Sequence, residues 1–204
     1  MLEKLEEYII AKSVPEAVRL LRRDPTGRTV AFTGAIDLHW WRLQNARRLV
    51  DTSRLGLDKI RIDRDGLHLG AAVMLEDIVQ SKDCATNFGG LLVAGARGLA
   101  SPLRRHSTSL AALLINAVPV VDLAELFAGK GRTALDRELI LEVIVPKPAP
   151  KTGFALERHA LTPSDDPILC AAVTLRHERG KVLAGTIALG GGLPLPVRAR
   201  KAEA

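Results

Sequence analysis

Lys59-Ile60-Arg61-Ile62-Asp63-Arg64-Asp65-Gly66-Leu67-His68-Leu69-Gly70-Ala71 reads as a β-hairpin. Ile60 and Ile62 alternate with charged residues, and Leu67 and Leu69 alternate again. Asp65-Gly66 between them supplies residues suited to a tight reversal of the chain. Towards the N-terminus, Leu38 to Leu49 reads as a helix rich in Trp, Leu and Arg, and Thr29 to Thr33 as a short β-prone run entering Gly34. Further back, Ser13-Val14-Pro15-Glu16 is a capping box with proline at the start of a helix that ends near Arg23. Asp24-Pro25-Thr26-Gly27 is a turn.

Towards the C-terminus, Leu75 to Gln80 is expected to be a short helix. Phe88 to Leu99 is expected to be helical and closely packed, since it carries Gly89, Gly90, Gly95 and Gly98. Leu139 to Val145 is a β-prone run stopped by Pro146. Pro146-Lys147-Pro148-Ala149-Pro150 is an extended connector, because proline disfavours helix in the residue before it. Phe154 to His159, Ile168 to Arg176 and Val182 to Leu189 form an antiparallel meander, with Glu178-Arg179-Gly180 as one turn. The fold class is therefore α+β, with a boundary at the proline connector that separates residues 1–146 from 151–204.

Composition narrows the function. Hydrophobic residues make up 47% of the 204 residues and charged ones 25%, which is a globular rather than a disordered balance. Aromatics are only 3%, so the core must be mainly aliphatic. The net charge of +6 is scattered rather than gathered into a stripe with aromatic platforms, so nucleic acid is not expected as a partner. Cys84 and Cys170 form no CxxC pair, which argues against zinc, an iron–sulfur cluster or a disulfide framework within the chain. No apolar run reaches the length of a membrane span and Met1 to Ile10 lacks a signal peptide's apolar core, so a cytoplasmic protein off the membrane is expected.

Several stretches, in order along the chain, resemble the FAD-binding medium subunit of the molybdenum hydroxylases, the xanthine dehydrogenase and aerobic CO dehydrogenase group. They are Tyr8 with Ser13 to Leu21; Leu49-Val50-Asp51-Thr52-Ser53-Arg54-Leu55, similar to the family's L-I-D-I-x-x-I; and Asp65 to Ala71. Further on come Gly129-Lys130-Gly131-Arg132-Thr133-Ala134-Leu135, similar to G-x-G-K/R-T-x-L; Ile187 to Gly191; and Pro196 to Ala199. The resemblance implies a FAD-binding, PCMH-like domain of small mixed sheets and helices, then a shortened antiparallel meander of the CO-dehydrogenase-flavoprotein type. It also implies partners: a molybdopterin-binding large subunit and a small subunit with [2Fe–2S] clusters. FAD would relay electrons to an acceptor, while molybdenum cofactor and clusters would sit on those partners.

In that family two glycine-rich loops hold FAD. The A-G-G-T-D/S-L loop corresponds to Thr33, Gly34, Ala35, Ile36, Asp37 and Leu38. The R-N-x-G-T-I-G-G-N loop corresponds to Arg105 to Leu113, with Ser109, Leu110, Ala111 and Ala112 at its centre. Asp165 matches the acidic entry to a strand near the flavin. Glycines let successive N–H groups close round a pyrophosphate, and a Cβ in a left-handed conformation costs about 1–2 kcal/mol. Only Gly34, Asp37 and Leu38 match in the first loop, and the second has lost its three glycines and both asparagines. A segment between the second loop and Gly129 is also short, spanned by Asn116 to Leu123, and the end at Ala204 falls where the family continues into helices.

These departures leave three readings open. The chain is a flavin-poor docking subunit, a working FAD subunit, or a free-standing binding protein reusing the cleft. Read alone, Gly34 and Asp37 suit an ordinary turn with a helix cap, Trp40-Trp41 suit a core or interface, and Arg104-Arg105-His106 suits a solvated basic turn. Gly190-Gly191-Gly192 suits a strand end. His68 and His177 fall on strands with half-exposed side chains, and no histidine pair has metal-ligand spacing.

Overall fold

A computed structural model of the chain describes residues 4–33, 46–99, 101–115, 127–129, 132–133, 139–162, 165, 167–193 and 196–204. It begins with a parallel sheet in the order β1-β3-β2, built from β1 (Glu7–Ile10), β2 (Thr29–Phe32) and β3 (Arg48–Asp51). Helix α1 (Val14–Arg22) joins β1 to β2. Its cap is a variant of the expected capping box, with the returning bond taken from Lys12 rather than from Ser13 itself. Ser13 Oγ accepts from the Glu16 N–H at 3.3 Å, and Glu16 Oε2 accepts from the Lys12 N–H at 2.8 Å. Ala17 and Val50 meet with Ala11 in a small core.

The helix expected over 38–49 is corrected at its end, since Arg48 and Leu49 belong to β3; residues 38–45 lie outside the described residues. Tertiary pairing decides this. Leu49 and Val50 are buried at the centre of a sheet that holds them on both edges. Asp51 at the strand's end accepts the Tyr8 hydroxyl and the Ser53 N–H.

The hairpin forms, with β4 (Ile60–Ile62) antiparallel to β5 (Gly66–Gly70), but the reversal falls on Arg64-Asp65, one residue earlier than read, because the Asp63 N–H donates to Gly66 O and Gly66 already belongs to β5; β8 (Glu142–Pro146) covers the other edge of β5. Gly66 is required there. Its φ is +154°, and a Cβ would lie 2.2 Å from the Val145 carbonyl oxygen. His68 is buried, not half-exposed, whereas His177 is exposed. Arg61 Nη2 donates to His68 Nδ1 at 2.8 Å, which places the ring proton on Nε2, 3.1 Å from Asp63 Oδ1. Arg61 Nη2 also donates to Glu142 Oε2 at 3.3 Å, which pins the hairpin to β8.

Helices α2 (Leu75–Gln80), α3 (Lys82–Thr86), α4 (Leu91–Leu99), α5 (Pro102–Arg105) and α6 (Leu110–Ile115) follow the hairpin. The expected helix over 88–99 starts late. Phe88–Gly90 is a 3-10 turn in which Gly89 and Gly90 take φ of 59° and 72°, open to glycine and strained for other residues. The main core gathers Leu67, Leu69, Val73, Leu75, Ile78 and Leu110 with their neighbours.

Two short strands, β6 (Phe127–Gly129) and β7 (Arg132–Thr133), form an antiparallel pair. The meander comes last, in the order β12-β11-β10-β9, from β9 (Thr152–His159), β10 (Leu169–Glu178), β11 (Lys181–Gly191) and β12 (Val197–Arg198). Helix α7 (Arg200–Glu203) closes against β11, where Glu203 accepts from the Ile187 N–H and from Arg198. Phe154 on β9 packs into the main core and meets Phe88 edge-on, with ring centroids 6.1 Å apart. The meander and the helical region therefore share apolar packing across the proline connector. No helix among the described residues is long and apolar enough to cross a membrane.

Candidate functional site

Thr33 ends β2 and Ser109 opens α6, and the fold brings them together. Their hydroxyl oxygens lie 3.0 Å apart although the residues are far apart in sequence. Gly34, Ala35, Ile36, Asp37 and Leu38 lie outside the described residues. The second stretch lies wholly among the described residues, and the N–H groups that open α6 are engaged within the chain. Leu110 N–H donates to Val73 O and Ala111 N–H to Ala71 O, each at 2.8 Å. Ala112 N–H donates to Ser109 Oγ at 3.2 Å, and Leu113 N–H to Ser109 O at 3.0 Å. Ser109 itself is fully buried.

A pyrophosphate cradle works by offering free N–H groups at a helix start. The four N–H groups that open α6, from Leu110 to Leu113, are engaged within the chain rather than turned to a ligand, and alanine methyl groups stand where the family has glycines. The strain expected from those alanines is absent, however. No residue from 108 to 113 has a positive φ. Ala111 and Ala112 sit in the first turn of α6, a conformation any L residue adopts freely. What the methyl groups remove is space, not backbone comfort.

Arg105 is not a free phosphate ligand. Its Nε donates to Glu76 Oε2 at 2.7 Å, tying α5 to α2. That hydrogen bond, with a second from Gln80, holds the Glu76 carboxyl below its ordinary pKa. Asp165 has an exposed side chain, and its carbonyl accepts from Arg158. Gly191, with φ of 99°, ends β11 hard against Pro167, where a Cβ would lie 2.7 Å from the carbonyl oxygen. That is a strand-end close approach. Among the described residues no group of His, Cys, Asp and Glu is arranged to hold a metal.

Behind α6 lies an apolar pocket of about 90 Å³. Leu110 and Leu113 face it from α6, Leu75 from α2 and Leu92 from α4; Leu156, Ala172 and Ala188 form the wall on the sheet. Arg158 and Cys170, opposite each other in register, complete that wall. Of these lining residues, Leu110 alone was among the candidates from sequence. Phe154, Leu156 and Arg158 alternate along one strand, so a charge on an otherwise apolar face was the signal that marks Arg158.

Over residues 3–128 the chain matches the model of the FAD binding domain in molybdopterin dehydrogenase. It belongs to that family. Among solved structures, the carbon monoxide dehydrogenase from Hydrogenophaga pseudoflava that lacks the Mo-pyranopterin moiety of its cofactor superposes with a TM-score of 0.87. It is 26% identical, over 99% of this chain and 80% of that chain. Reconstituted CO dehydrogenase from Oligotropha carboxidovorans superposes at 0.88 with 21% identity, over 100% and 80% of the two chains. Quinoline 2-oxidoreductase from Pseudomonas putida 86 does so at 0.85 with 21% identity, over 100% and 79%. The last two likenesses establish the fold alone. No curated protein matches the chain. The molybdopterin-dehydrogenase FAD-domain fold is thus present, antiparallel C-terminal sheet included.

Proposed function

We propose that this chain is the medium, flavin-domain subunit of a molybdenum-hydroxylase complex, serving there as a flavin-poor structural and docking component. Family membership and the likeness to the CO dehydrogenases support the complex. The observation that carries the flavin-poor role is the internal use of the Leu110, Ala111, Ala112 and Leu113 N–H groups. Its partners are a large subunit with the molybdenum cofactor and a small subunit with [2Fe–2S] clusters. Its basic net charge of +6 suits docking on acidic surfaces of those subunits. Residues 1–146 and 151–204 are its two domains, and the cytoplasm is its compartment.

A second reading, a working FAD subunit, is favoured by the Thr33–Ser109 pair, which keeps the two loop positions in contact. The deciding experiment is native purification with accompanying subunits, followed by an absorption spectrum and analysis of released cofactor. Molybdenum and iron–sulfur subunits without stoichiometric FAD are expected. One FAD per chain would reject the flavin-poor role. Ala35→Gly alone is expected to leave flavin content unchanged, because the second loop would still lack its three glycines and keep the Leu110 to Leu113 N–H groups engaged; a clear gain would show that the first loop governs binding.

A further inference from the structure

We propose that the pocket between the helices and the C-terminal sheet binds a small branched aliphatic carboxylate, with its carboxylate at Arg158. Among the described lining residues Arg158 alone is charged. The strand register puts Arg158, Cys170 and Gly190 side by side, on the same face as Leu156, Ala172 and Ala188. The guanidinium is therefore the one polar feature of an aliphatic wall.

That guanidinium has no counter-charge among the described residues. One Nη donates to a neutral acceptor, the Asp165 carbonyl. Its Nε is buried without a hydrogen-bond partner. The side chain as a whole is half-buried, and an anion seated in the pocket would satisfy the buried Nε–H and pair with the charge. Cys170 does not supply the anion. Burial pushes its thiol pKa up, against the opposing effect of Arg158, so the thiol stays neutral. Glu157 neighbours Arg158 in sequence but points to the opposite face of the strand.

Packing holds the arginine in place. Gly98 on α4 lies against it, and a Cβ there would come within 3.1 Å of the Arg158 Cδ. The absence of a side chain lets the helix press the arginine stem to the sheet. The volume sets the ligand's size. A dry cavity of about 150 Å³ takes benzene, so about 90 Å³ suits an aliphatic body of about four or five carbons. The described lining holds no hydroxyl or amide side chain to bind a ribityl chain, and the inference stands apart from the docking role.

The test uses the natively purified complex, with its FAD content recorded on the same sample. The probes are 3-methylbutanoate, the matching alcohol and the matching amine, followed by calorimetry or saturation-transfer NMR. The acid is expected to bind about tenfold more tightly than the alcohol, the scale of one charge-assisted hydrogen bond, and the amine not to bind. Arg158→Gln should cost the acid about tenfold and leave the alcohol unchanged. The acid should also slow alkylation of Cys170 in the unmodified protein, a readout that needs no variant to fold. Equal binding of acid and alcohol, full acid binding by Arg158→Gln, or no acid binding at about 10 mM with no protection of Cys170 would each overturn the proposal.

Discussion

Glu76 and Gly66 show what single positions contribute. Glu76 lies between α2 and α5 and accepts from both Arg105 and Gln80. Because its folded pKa is lowered, its contribution is fully present above the ordinary carboxylate range and is lost as pH falls through the folded value. Glu76→Gln should therefore unfold at lower urea than the parent at about pH 7, with a narrower gap at about pH 3. A gap of equal size at both pH values would mean that the ion pair is not the source. Gly66 presents the opposite case, a position defined by what is missing. Gly66→Ala drives a methyl group into the β8 backbone and should cost about 3 kcal/mol, read from denaturant unfolding. A neutral result would show that β8 yields easily.

At the scale of elements, α1 is held by local chemistry and β9 by distant chemistry. Ser13 satisfies an N–H at the start of α1 that has no partner within the helix. Ser13→Ala is expected to lower stability by about 1 kcal/mol, measured by the urea midpoint. Glu16 keeps its own bond from the Lys12 N–H in that variant. β9 reads as a strand from its alternation, but its inward side chains find their partners on α4 and the 3-10 turn. Phe154 is the clearest of them, edge-on to Phe88 and over Gly89, whose added Cβ would meet it at 3.1 Å. Phe154→Ala should cost about 3 kcal/mol, far more than substitution of an exposed residue such as Ala155.

For the whole molecule, that shared packing has a cooperative consequence. The meander and the helical region contact through Phe154 and the pocket walls, so heat should unfold the chain in one transition, with near-ultraviolet and far-ultraviolet signals coinciding. Two separated transitions would instead mark the proline connector as a thermodynamic boundary as well as a topological one. The same arrangement separates the pocket from the loop positions. α6 presents Leu110 and Leu113 to the pocket, while its first N–H groups turn back to Val73 and Ala71.

Much of this was legible in the chain itself. Asp65-Gly66 between alternating runs marked the hairpin to within one residue, Ser13 and Glu16 specified the start of α1, and Pro146 to Pro150 marked the passage to the meander. These are local signals, set by turn residues, caps and side-chain period within a few residues. The correspondence of Thr33 and Ser109 to two loops was legible too, and the fold placed them in contact. Tertiary structure alone decided the rest. Arg48 and Leu49 became strand because two neighbours supplied hydrogen bonds on both edges. His68 became buried because Arg61, Asp63 and Glu142 gathered round it from separate strands. The alanines of the second loop proved unstrained, because strain depends on φ, and α6 begins in an ordinary right-handed turn. Arg158 at an apolar wall, with no counter-charge among the described residues, emerged last, since only packing of helices against the sheet determines which charges meet a partner.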